Sequence, residues 1–381
     1  MPDKPETGFE WTNLFWPALV AAESAVALTG RMLGAFPAPA ADRETQAPEP
    51  VWTSEHEIVL ELGAVRLRRF TAGSTRGRRP ILVCAPFALH DARLVDICEG
   101  HSLMAVLRGG GAPLYLLEWL SANSAQAFRG IDDYLSDLNV LVDEIGGVCD
   151  FIGLCQGGWL SLIFAARFPS KAGKLVLAGA PIDIEAADST LSLLARSTSI
   201  ETFQDVVRLG EGLARGNQLL SFWRNDMESA EAIHALLQSE LPLDSPRFEA
   251  QAALVRAWSE HRLNLPGAYY LEVAEKFYKH NQLAKGEFVA LGQRIALHDM
   301  RRPLYLVAAL DDEVAAPEQT LACAGLVGTP RAALRARTTS GSHISLFVGA
   351  KSLEEVWPDV LDWLAIDEGS KVHDFRVKKP A

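Results

Sequence analysis

Short apolar runs alternate with helical patterns along most of the chain after about residue 50. Two runs in which apolar and polar residues alternate, 58–62 and 65–70, are separated by Gly63 and Ala64, and this arrangement predicts an antiparallel hairpin. The later runs are continuously apolar, which is typical of strands buried on both faces of a sheet. These runs are 81–85, 114–119, 148–154, 174–179 and 304–309.

Helical patterns occupy intervals between these runs, at 132–145, 159–168 and 353–364. Strands that alternate with helices predict an α/β fold whose sheet is mostly parallel and carries helices on both faces. Between Asp183 and Arg301 the strand signals vanish, and the sequence becomes helical and aromatic. We expect this insertion to form a cap over the carboxyl ends of the strands, where ligands bind in such sheets.

These patterns divide the chain into five segments. An N-terminal helix and an Ala- and Pro-rich linker are expected in 1–50, and a flexible basic tail in 367–381. The first half of the core is expected in 51–183, the helical cap in 184–300 and the second half of the core in 301–366. The apolar face of the first helix predicts packing either on its own domain or against a partner or hydrophobic surface.

Composition and charge narrow the class of protein. A hydrophobic share of 49% with 22% charged residues is typical of a folded globular chain. The formal charge of −12, from 36 basic and 48 acidic residues, argues against nucleic acid as a partner. The most apolar early stretch, 15–33, is interrupted by Pro17, Glu23 and Arg31, so no transmembrane segment is expected. Five cysteines without paired metal spacing favour a reducing, cytoplasmic location over structural zinc or a disulfide framework.

The strongest chemical signal is the segment Phe151-Ile-Gly-Leu-Cys-Gln-Gly-Gly158, which follows an apolar run and opens a helical pattern. This is the glycine-flanked nucleophile elbow of α/β-hydrolases, with Cys155 where serine is usual. Glycines are needed because side chains beside so tight a turn would collide with neighbouring elements. The helix N-terminus favours a thiolate at Cys155, and the Gln156 N–H is expected to form half of an oxyanion hole. The alternative is a buried structural cysteine at a glycine-rich junction.

A thiol nucleophile needs a base, and the base needs an orienting acid. His343 follows small residues near the end of the predicted core, so it is the candidate base. Asp311 and Asp312 both follow the run 304–309, and only one of them can face the histidine. Asp312 is favoured, with Asp311 as the alternative. The order Cys155, Asp312, His343 matches the chain order of the α/β-hydrolase fold.

The loop after the run 81–85 is expected to complete the oxyanion hole, because in this fold the corresponding loop supplies the second N–H group. Phe87 and Ala88 are the candidates for this donor. His90 follows in the same loop, where it is expected either to contact substrate or to cap the loop. The aromatic residues of the predicted cap are expected to lie mainly in the core.

Together with these residues, further motifs resemble the polyhydroxyalkanoate synthase family and, in chain length, its class III catalytic subunit. The resemblance covers about 53–364. The motifs are Gly130-Ile-Asp-Asp-Tyr134, Gly153-Leu-Cys-Gln-Gly-Gly158, Ala180-Pro-Ile-Asp183, Phe277-Tyr-Lys-His-Asn-Gln-Leu-Ala-Lys-Gly286, Ala309-Leu-Asp-Asp312 and Gly341-Ser-His-Ile344.

This resemblance implies an α/β-hydrolase core with a cap, and an acyltransferase that polymerises hydroxyacyl-CoA. Cys155 would carry the growing polyester chain as a thioester, His343 would activate Cys155 and the incoming hydroxyl, and Asp312 would assist. No metal or cofactor is implied beyond the CoA thioester substrate. The resemblance also implies a partner subunit or a homodimer, and work at the surface of polyester granules.

The chain departs from the synthase pattern at two places. Synthases usually carry an Asn and a Tyr in the loop where 89–94 stands here, and a His where Glu313 follows the candidate acid. Intracellular polyhydroxybutyrate depolymerases of the same superfamily are resembled at His90 and at Tyr269-Tyr-Leu-Glu272, although their elbow usually lacks the pair Gly157-Gly158. A depolymerase or thioesterase with the same triad is therefore the alternative. A non-catalytic granule-associated subunit is a third hypothesis, against which the complete Cys, Asp and His set argues.

Overall fold

The computed structural model describes residues 51–70, 77–220 and 229–366. The helix and linker predicted in 1–50, and the tail predicted in 367–381, lie outside the described residues.

Eight strands of the described residues form the main sheet, and we number them in chain order. They are β1 Glu57–Glu61, β2 Val65–Arg69, β3 Ile81–Cys84, β4 Leu114–Trp119, β5 Cys149–Leu154, β6 Ala172–Ala178, β7 Leu304–Ala309 and β8 Leu334–Thr339. Their order across the sheet is β1-β2-β4-β3-β5-β6-β7-β8. The pairs β1–β2 and β2–β4 are antiparallel, and all the other pairs are parallel. The sheet is therefore mostly parallel, as predicted.

Helices connect the strands. They are α1 Leu103–Arg108, α2 Ile131–Glu144, α3 Gln156–Arg167, α4 Thr190–Ser197, α5 Ile200–Leu209, α6 Gly216–Leu220, α7 Ala230–Leu237, α8 Pro246–Glu260, α9 Gly267–Glu272, α10 Pro317–Leu321, α11 Cys323–Leu326, α12 Ser345–Val348 and α13 Trp357–Ala365. There are two π-helical segments in the described residues. Val273–Lys279 directly follows α9, and Ser352–Val356 directly precedes α13. Short 3₁₀ turns lie at Ala92–Val95, Ser124–Gln126, Leu297–Asp299 and Arg331–Ala333.

Helices cover both faces of the sheet. Successive residues of a strand point to opposite faces, so the clusters that they join show which helices lie on each side. In β3, Leu82 and Cys84 join the apolar cluster that contains residues of α2 and α3. Ile81 and Val83 of the same strand join the opposite cluster, which contains residues of α1 and α13. The predicted α/β fold with helices on both faces is confirmed.

The edge strand β8 was not among the predicted runs. Its sequence, Leu-Arg-Ala-Arg-Thr-Thr, pairs only with β7 and keeps most of its side chains partly or fully exposed. A strand that pairs along one edge and buries little surface does not need a continuous apolar run, so the hydrophobic pattern did not predict β8.

The long segment between β6 and β7 passes across the carboxyl edge of the sheet. Its helices α7 and α8 contribute Ile233 and Val255 to the cluster on the α1 and α13 side. Its helix α9 and the following π-helical segment contribute Tyr269 and Phe277 to the opposite cluster. The segment also contains two ladders with strands of two residues, Leu213–Ala214 with Leu265–Pro266 and Val289–Ala290 with Gln293–Arg294, which are too short to show a strand pattern.

No helix in the part of the chain that the structure describes is both long and apolar enough to span a bilayer.

Candidate active site

Cys155 occupies a sharp turn between β5 and α3. Its backbone has φ 50° and ψ −118°, which a residue with a side chain rarely adopts. The turn is held by two main-chain hydrogen bonds of 2.9 Å, from Cys155 N–H to the Ala178 carbonyl and from the Gly158 N–H to the Cys155 carbonyl. Strained backbone of this kind is typical of functional positions, where the surrounding structure enforces it.

Three glycines make the turn sterically possible. A Cβ atom on Gly153 would lie 2.5 Å from the Gly158 Cα, and one on Gly157 would lie 2.1 Å from the Cys84 carbonyl oxygen. A Cβ atom on Gly158 would lie 2.4 Å from the Ala180 Cβ. The glycines thus allow α3 to approach β3, β5 and the loop after β6 at distances that no side chain tolerates.

The structure brings Cys155, Asp312 and His343 together. His343 Nδ1 lies 2.8 Å from Asp312 Oδ2 and 3.0 Å from Oδ1. The Cys155 side chain acts on the same imidazole, since it also raises the pKa of His343. All three residues are buried, with exposed fractions of 6–7%.

The surroundings of His343 stabilise the imidazolium that forms when this residue takes a proton. Burial by itself lowers the pKa of this histidine, but the Asp312 carboxylate and the Cys155 side chain outweigh burial and raise the pKa well above its usual range. A base that must take a proton from a thiol gains from this shift, because the imidazolium it becomes is stabilised. The Asp312 carboxylate is itself fixed, since its Oδ1 accepts hydrogen bonds from the main-chain N–H groups of Val314 and Ala315, at 2.9 and 2.7 Å.

The two adjacent aspartates have different environments. Asp312 faces the imidazole, whereas Asp311 is exposed and accepts a hydrogen bond of 3.2 Å from the main-chain N–H of Gly341. Glu313, the departure from the synthase pattern, is exposed and lies near the same loop, with Oε2 3.4 Å from the main-chain nitrogen of His343. The geometry therefore favours Asp312 over Asp311 as the orienting acid.

The residues expected to form the oxyanion hole lie on two neighbouring strand ends. Gln156 is the first residue of α3, so its N–H has no acceptor within the helix. Cys84, the last residue of β3, pairs with Gly153 of β5, so the loop that contains Phe87 and Ala88 leaves the sheet beside the elbow. The Phe87 ring is 1% exposed and packs against the rings of Trp119, Tyr134 and Tyr269, which fixes the course of this loop.

His90 contacts the inserted segment. It forms an isolated antiparallel bridge with Arg262, and its ring centroid lies 4.7 Å from that of Trp258. Burial, and then the positive charge of Arg262, lower the pKa of His90 to about 4, so this imidazole is neutral at pH 7. Its Nδ1 is buried without a hydrogen-bond partner. These contacts join the loop after β3 to the segment that crosses the sheet edge.

The other four cysteines are buried, and none of the five cysteines forms a disulfide. Burial raises the pKa of Cys84, Cys98 and Cys323 to about 12, and raises that of Cys149 well above its usual value. Among the described residues, no group of three or more His, Cys, Asp or Glu side chains is arranged to hold a metal ion.

Tyr278, in the inserted segment, is a residue that the sequence reasoning did not single out. It is 9% exposed, and burial, followed by the influence of Cys155 and Asp312, raises its pKa far above the usual value. The signal that pointed to it was its place in the motif Phe277-Tyr-Lys-His-Asn281, which was quoted only for the family resemblance.

The fold agrees with a solved structure of the same class. An epoxide hydrolase from Bacillus megaterium superposes with a TM-score of 0.52 at 12% identity, over 81% of this chain and 99% of that chain. With a mostly parallel eight-stranded sheet and a nucleophile elbow, the described chain is an α/β-hydrolase-fold protein.

Sequence comparison relates the chain to a more specific group. The poly(3-hydroxyalkanoate) polymerase subunit PhaC of Allochromatium vinosum is 27% identical over 277 residues, covering 71% of this chain and 76% of the relative. The subunit of the same name from a Synechocystis species is 28% identical over 309 residues, covering 75% and 78%. A family model described as the C-terminus of PHB de-polymerase matches residues 233–368. The resemblance to the polyhydroxyalkanoate synthases that the motifs indicated is thus confirmed.

Proposed function

We propose that this protein is an acyltransferase that polymerises hydroxyacyl-CoA into polyhydroxyalkanoate through a thioester on Cys155. The observation that carries the proposal is the buried Cys155, His343 and Asp312 arrangement in a chain similar to named polymerases. The prediction that the chain is an enzyme is confirmed by those relatives.

In the first half of the reaction, His343 takes the thiol proton of Cys155, and the sulfur attacks the carbonyl carbon of the CoA thioester. The electron pair of the carbonyl moves onto oxygen, which the N–H of Gln156 and an N–H of Phe87 or Ala88 would stabilise. When the intermediate collapses, the bond to the CoA sulfur breaks, and the CoA thiolate takes the proton from the imidazolium. The acyl group is then carried by Cys155.

In the second half, a hydroxyl group attacks the acyl thioester. His343 accepts the hydroxyl proton, an ester bond forms, and Cys155 leaves as the thiolate that the imidazolium reprotonates. Exchange of one thioester for another is close to isoenergetic, so the acyl enzyme is neither a trap nor a barrier. Asp312 holds the imidazole in the required orientation in both halves.

Synthesis requires that water stay away from the acyl enzyme, since water would hydrolyse it. Cys155 and His343 are only 7% and 6% exposed, and the segment between β6 and β7 contributes residues to the apolar clusters on both sides of the sheet. We propose that this segment, 184–300, is a cap that excludes water. Its apolar residues would also face an apolar polyester.

The second candidate function is hydrolysis of the same polymer. The match of residues 233–368 to the PHB de-polymerase C-terminus favours it, and so does the similarity of the triad chemistry, since water in place of the hydroxyl would convert the acyl enzyme to a free acid. This match covers the second part of the inserted segment and the end of the core, while the polymerase matches cover most of the chain.

One assay separates the two functions. The purified full-length protein is incubated with hydroxybutyryl-CoA while CoA release and insoluble polymer are measured, and in parallel with amorphous polymer while free hydroxyacid is measured. Polymer with CoA release supports the synthase, and acid released from polymer without synthesis supports the depolymerase. The Cys155→Ala variant is the matched control, and it should be inactive in both arms.

The proposed reaction has consequences for partners and location. The CoA thioester supplies the activated acyl group, so no metal or other cofactor is needed. We propose a cytoplasmic enzyme that works at the surface of its polyester granule, as a homodimer or with a partner subunit. If neither assay shows turnover, addition of candidate partner subunits tests that last point.

A further inference from the structure

The two loops that are expected to supply the oxyanion donors lie against each other. A Cβ atom on Gly157 would lie 2.1 Å from the Cys84 carbonyl oxygen and 2.7 Å from the Ala85 carbonyl oxygen. Gly157 directly follows Gln156 in the elbow, and Ala85 lies two residues before Phe87. The spacing between the Gln156 N–H and the N–H groups of the loop after β3 therefore depends on how this contact is held.

Tyr269 of α9, in the inserted segment, contacts both sides of this junction. Its hydroxyl donates a hydrogen bond of 3.0 Å to Gln156 Oε1. Its ring packs on the ring of Phe87, with centroids 4.8 Å apart. Burial raises the pKa of Tyr269 well above its ordinary range, so the phenol keeps its proton and stays the donor in this bond. One side chain thus joins the residue after the nucleophile to the loop that is expected to complete the oxyanion hole.

The position of Tyr269 is itself fixed by packing. The residue is 2% exposed, and its ring lies 5.4 Å from that of Tyr134 and 6.4 Å from that of Trp159, measured between centroids. Tyr134 belongs to α2 and Trp159 to α3, so Tyr269 is packed against two helices of the core. Close-packed rings leave little room for movement, and the hydroxyl is therefore presented to Gln156 from a rigid support.

The peptide between Cys155 and Gln156 needs such a restraint. Its orientation is set in part by the strained torsions of Cys155, φ 50° and ψ −118°, and strained backbone persists only where the surrounding structure enforces it. The N–H of Gln156 belongs to this peptide, so a relaxation of the strain would turn that donor. A hydrogen bond that fixes the Gln156 side chain opposes this rotation.

We propose that Tyr269 is a positioning residue, which sets the geometry of the oxyanion hole by holding the Gln156 side chain and the Phe87 ring. The proposal rests on the acyl transfer at Cys155 proposed above. Tyr269 makes no bond to substrate and transfers no proton. It keeps the main-chain donors of the two loops at the spacing that the developing negative oxygen requires, and donors of this kind act only when they are placed in advance.

The test is a double-mutant cycle between the side chains of Tyr269 and Gln156. Tyr269→Phe removes the hydroxyl and keeps the ring, whereas Gln156→Met removes the acceptor and keeps the main-chain N–H. Tyr270→Phe is the matched control, because it removes the hydroxyl of the adjacent residue, whose ring packs on Phe203. Initial rates with p-nitrophenyl butyrate and with hydroxybutyryl-CoA give kcat and KM. Alkylation of Cys155 by iodoacetamide and thermal melting are readouts that need no oxyanion.

We expect Tyr269→Phe to lower kcat for p-nitrophenyl butyrate about tenfold, because a displaced donor loses part of the roughly 10²- to 10³-fold that one oxyanion donor contributes. KM, the alkylation rate and the melting temperature should stay close to wild type. Gln156→Met should show the same loss of kcat, and the double variant should lose no more than either single variant, since both remove one hydrogen bond. Tyr270→Phe should retain wild-type kcat.

A kcat for Tyr269→Phe within about twofold of wild type would overturn the proposal. An equal loss in Tyr270→Phe, additive losses in the double variant, or slower alkylation of Cys155 in Tyr269→Phe would also overturn it. If Tyr269→Phe does not fold, Gln156→Met decides the question, and wild-type kcat in that variant contradicts the proposal.

The two substrates separate this proposal from the proposed synthase. A wild-type protein that is active on the ester but not on hydroxybutyryl-CoA would contradict the synthase, while the ester kinetics still decide the role of Tyr269. A wild-type protein that is inactive with both substrates would overturn the role of Tyr269 together with acyl transfer at Cys155.

Discussion

His343 Nδ1 lies 2.8 Å from Asp312 Oδ2, although the two residues are 31 positions apart in the chain. This contact fixes the orientation of the imidazole and stabilises the positive charge that the imidazole acquires. An amide in place of the carboxylate would favour the wrong tautomer. We therefore expect Asp312→Asn to lower kcat by about 10³- to 10⁴-fold.

The neighbouring carboxylate provides the control for this prediction. Asp311→Asn alters an exposed side chain whose contact is a main-chain N–H, so kcat should stay within about twofold of wild type. Steady-state kinetics with p-nitrophenyl butyrate compare the two variants. If Asp311→Asn is the more damaging change, Asp312 is not the orienting acid.

Substitution of the nucleophile should separate activity from folding. Cys155→Ala removes a sulfur atom from a turn that glycines and main-chain hydrogen bonds already define, so we expect complete loss of turnover with a retained circular dichroism spectrum and cooperative melting. A variant that fails to fold would show that Cys155 has a structural role. A folded Cys155→Ala protein with substantial activity would remove the cysteine from the mechanism.

The pairing of Cys155 with His343 can be tested by measuring the rate at which Cys155 is alkylated. His343→Ala removes the base, and we expect iodoacetamide to modify Cys155 at pH 7 at least about tenfold more slowly than in wild type. Mass spectrometry of tryptic peptides locates the label. The buried cysteines Cys84 and Cys323, whose pKa burial raises to about 12, act as internal controls that should remain unlabelled in the folded protein. Equal rates in the two proteins would argue against the pairing.

The elbow glycines should be intolerant of even one methyl group. In Gly157→Ala the new Cβ would lie 2.1 Å from a main-chain oxygen of β3, which cannot rotate away, so we expect a loss of at least about 2 kcal/mol in the free energy of unfolding. Gly325→Ala is the matched control, because a Cβ at that helical position meets nothing within 4 Å and alanine favours a helix. Urea unfolding measures the free energy of unfolding of both variants. A stable Gly157→Ala protein would mean that α3 can move away from β3.

Acid should destabilise the protein partly through His90. The folded-state pKa of about 4 lies below the ordinary value of 6.5, so between these values the unfolded chain binds more protons and stability falls as the pH falls. From pH 7 to pH 5 this difference corresponds to about 2 kcal/mol. His90→Phe keeps a ring beside Trp258 but cannot titrate, so its stability should fall less over the same range.

Urea unfolding at pH 7 and pH 5 checks this prediction for each protein separately, so that any direct cost of the substitution cancels. The exposed His298, with 78% of its side chain accessible, provides the control substitution His298→Gln, which should leave the acid sensitivity of wild type unchanged. An acid response in His90→Phe as large as in wild type would contradict the lowered pKa.

Local sequence patterns predicted much of the fold. A buried parallel strand must be apolar on both faces, so β3, β4, β5, β6 and β7 were visible as continuous runs before any contact was known. The elbow was visible for a similar reason, because the tight approach of α3 leaves room only for glycine at Gly153, Gly157 and Gly158. The edge strand β8 and the two-residue ladders have too little buried surface to leave such a pattern.

The sequence by itself determined the main strands and helices, the elbow, and the chain order of Cys155, Asp312 and His343. Buried strands require apolar residues and the tight elbow requires glycines, so both leave local patterns in the sequence. Tertiary structure alone decided that Asp312 rather than Asp311 faces the imidazole, that His90 meets Arg262 of the inserted segment, and that the Tyr269 hydroxyl donates a hydrogen bond to the Gln156 side chain. These relationships join residues far apart in the chain, and adjacent aspartates or tyrosines differ only in direction. Direction is set by the packing of whole elements, which no single stretch of sequence contains.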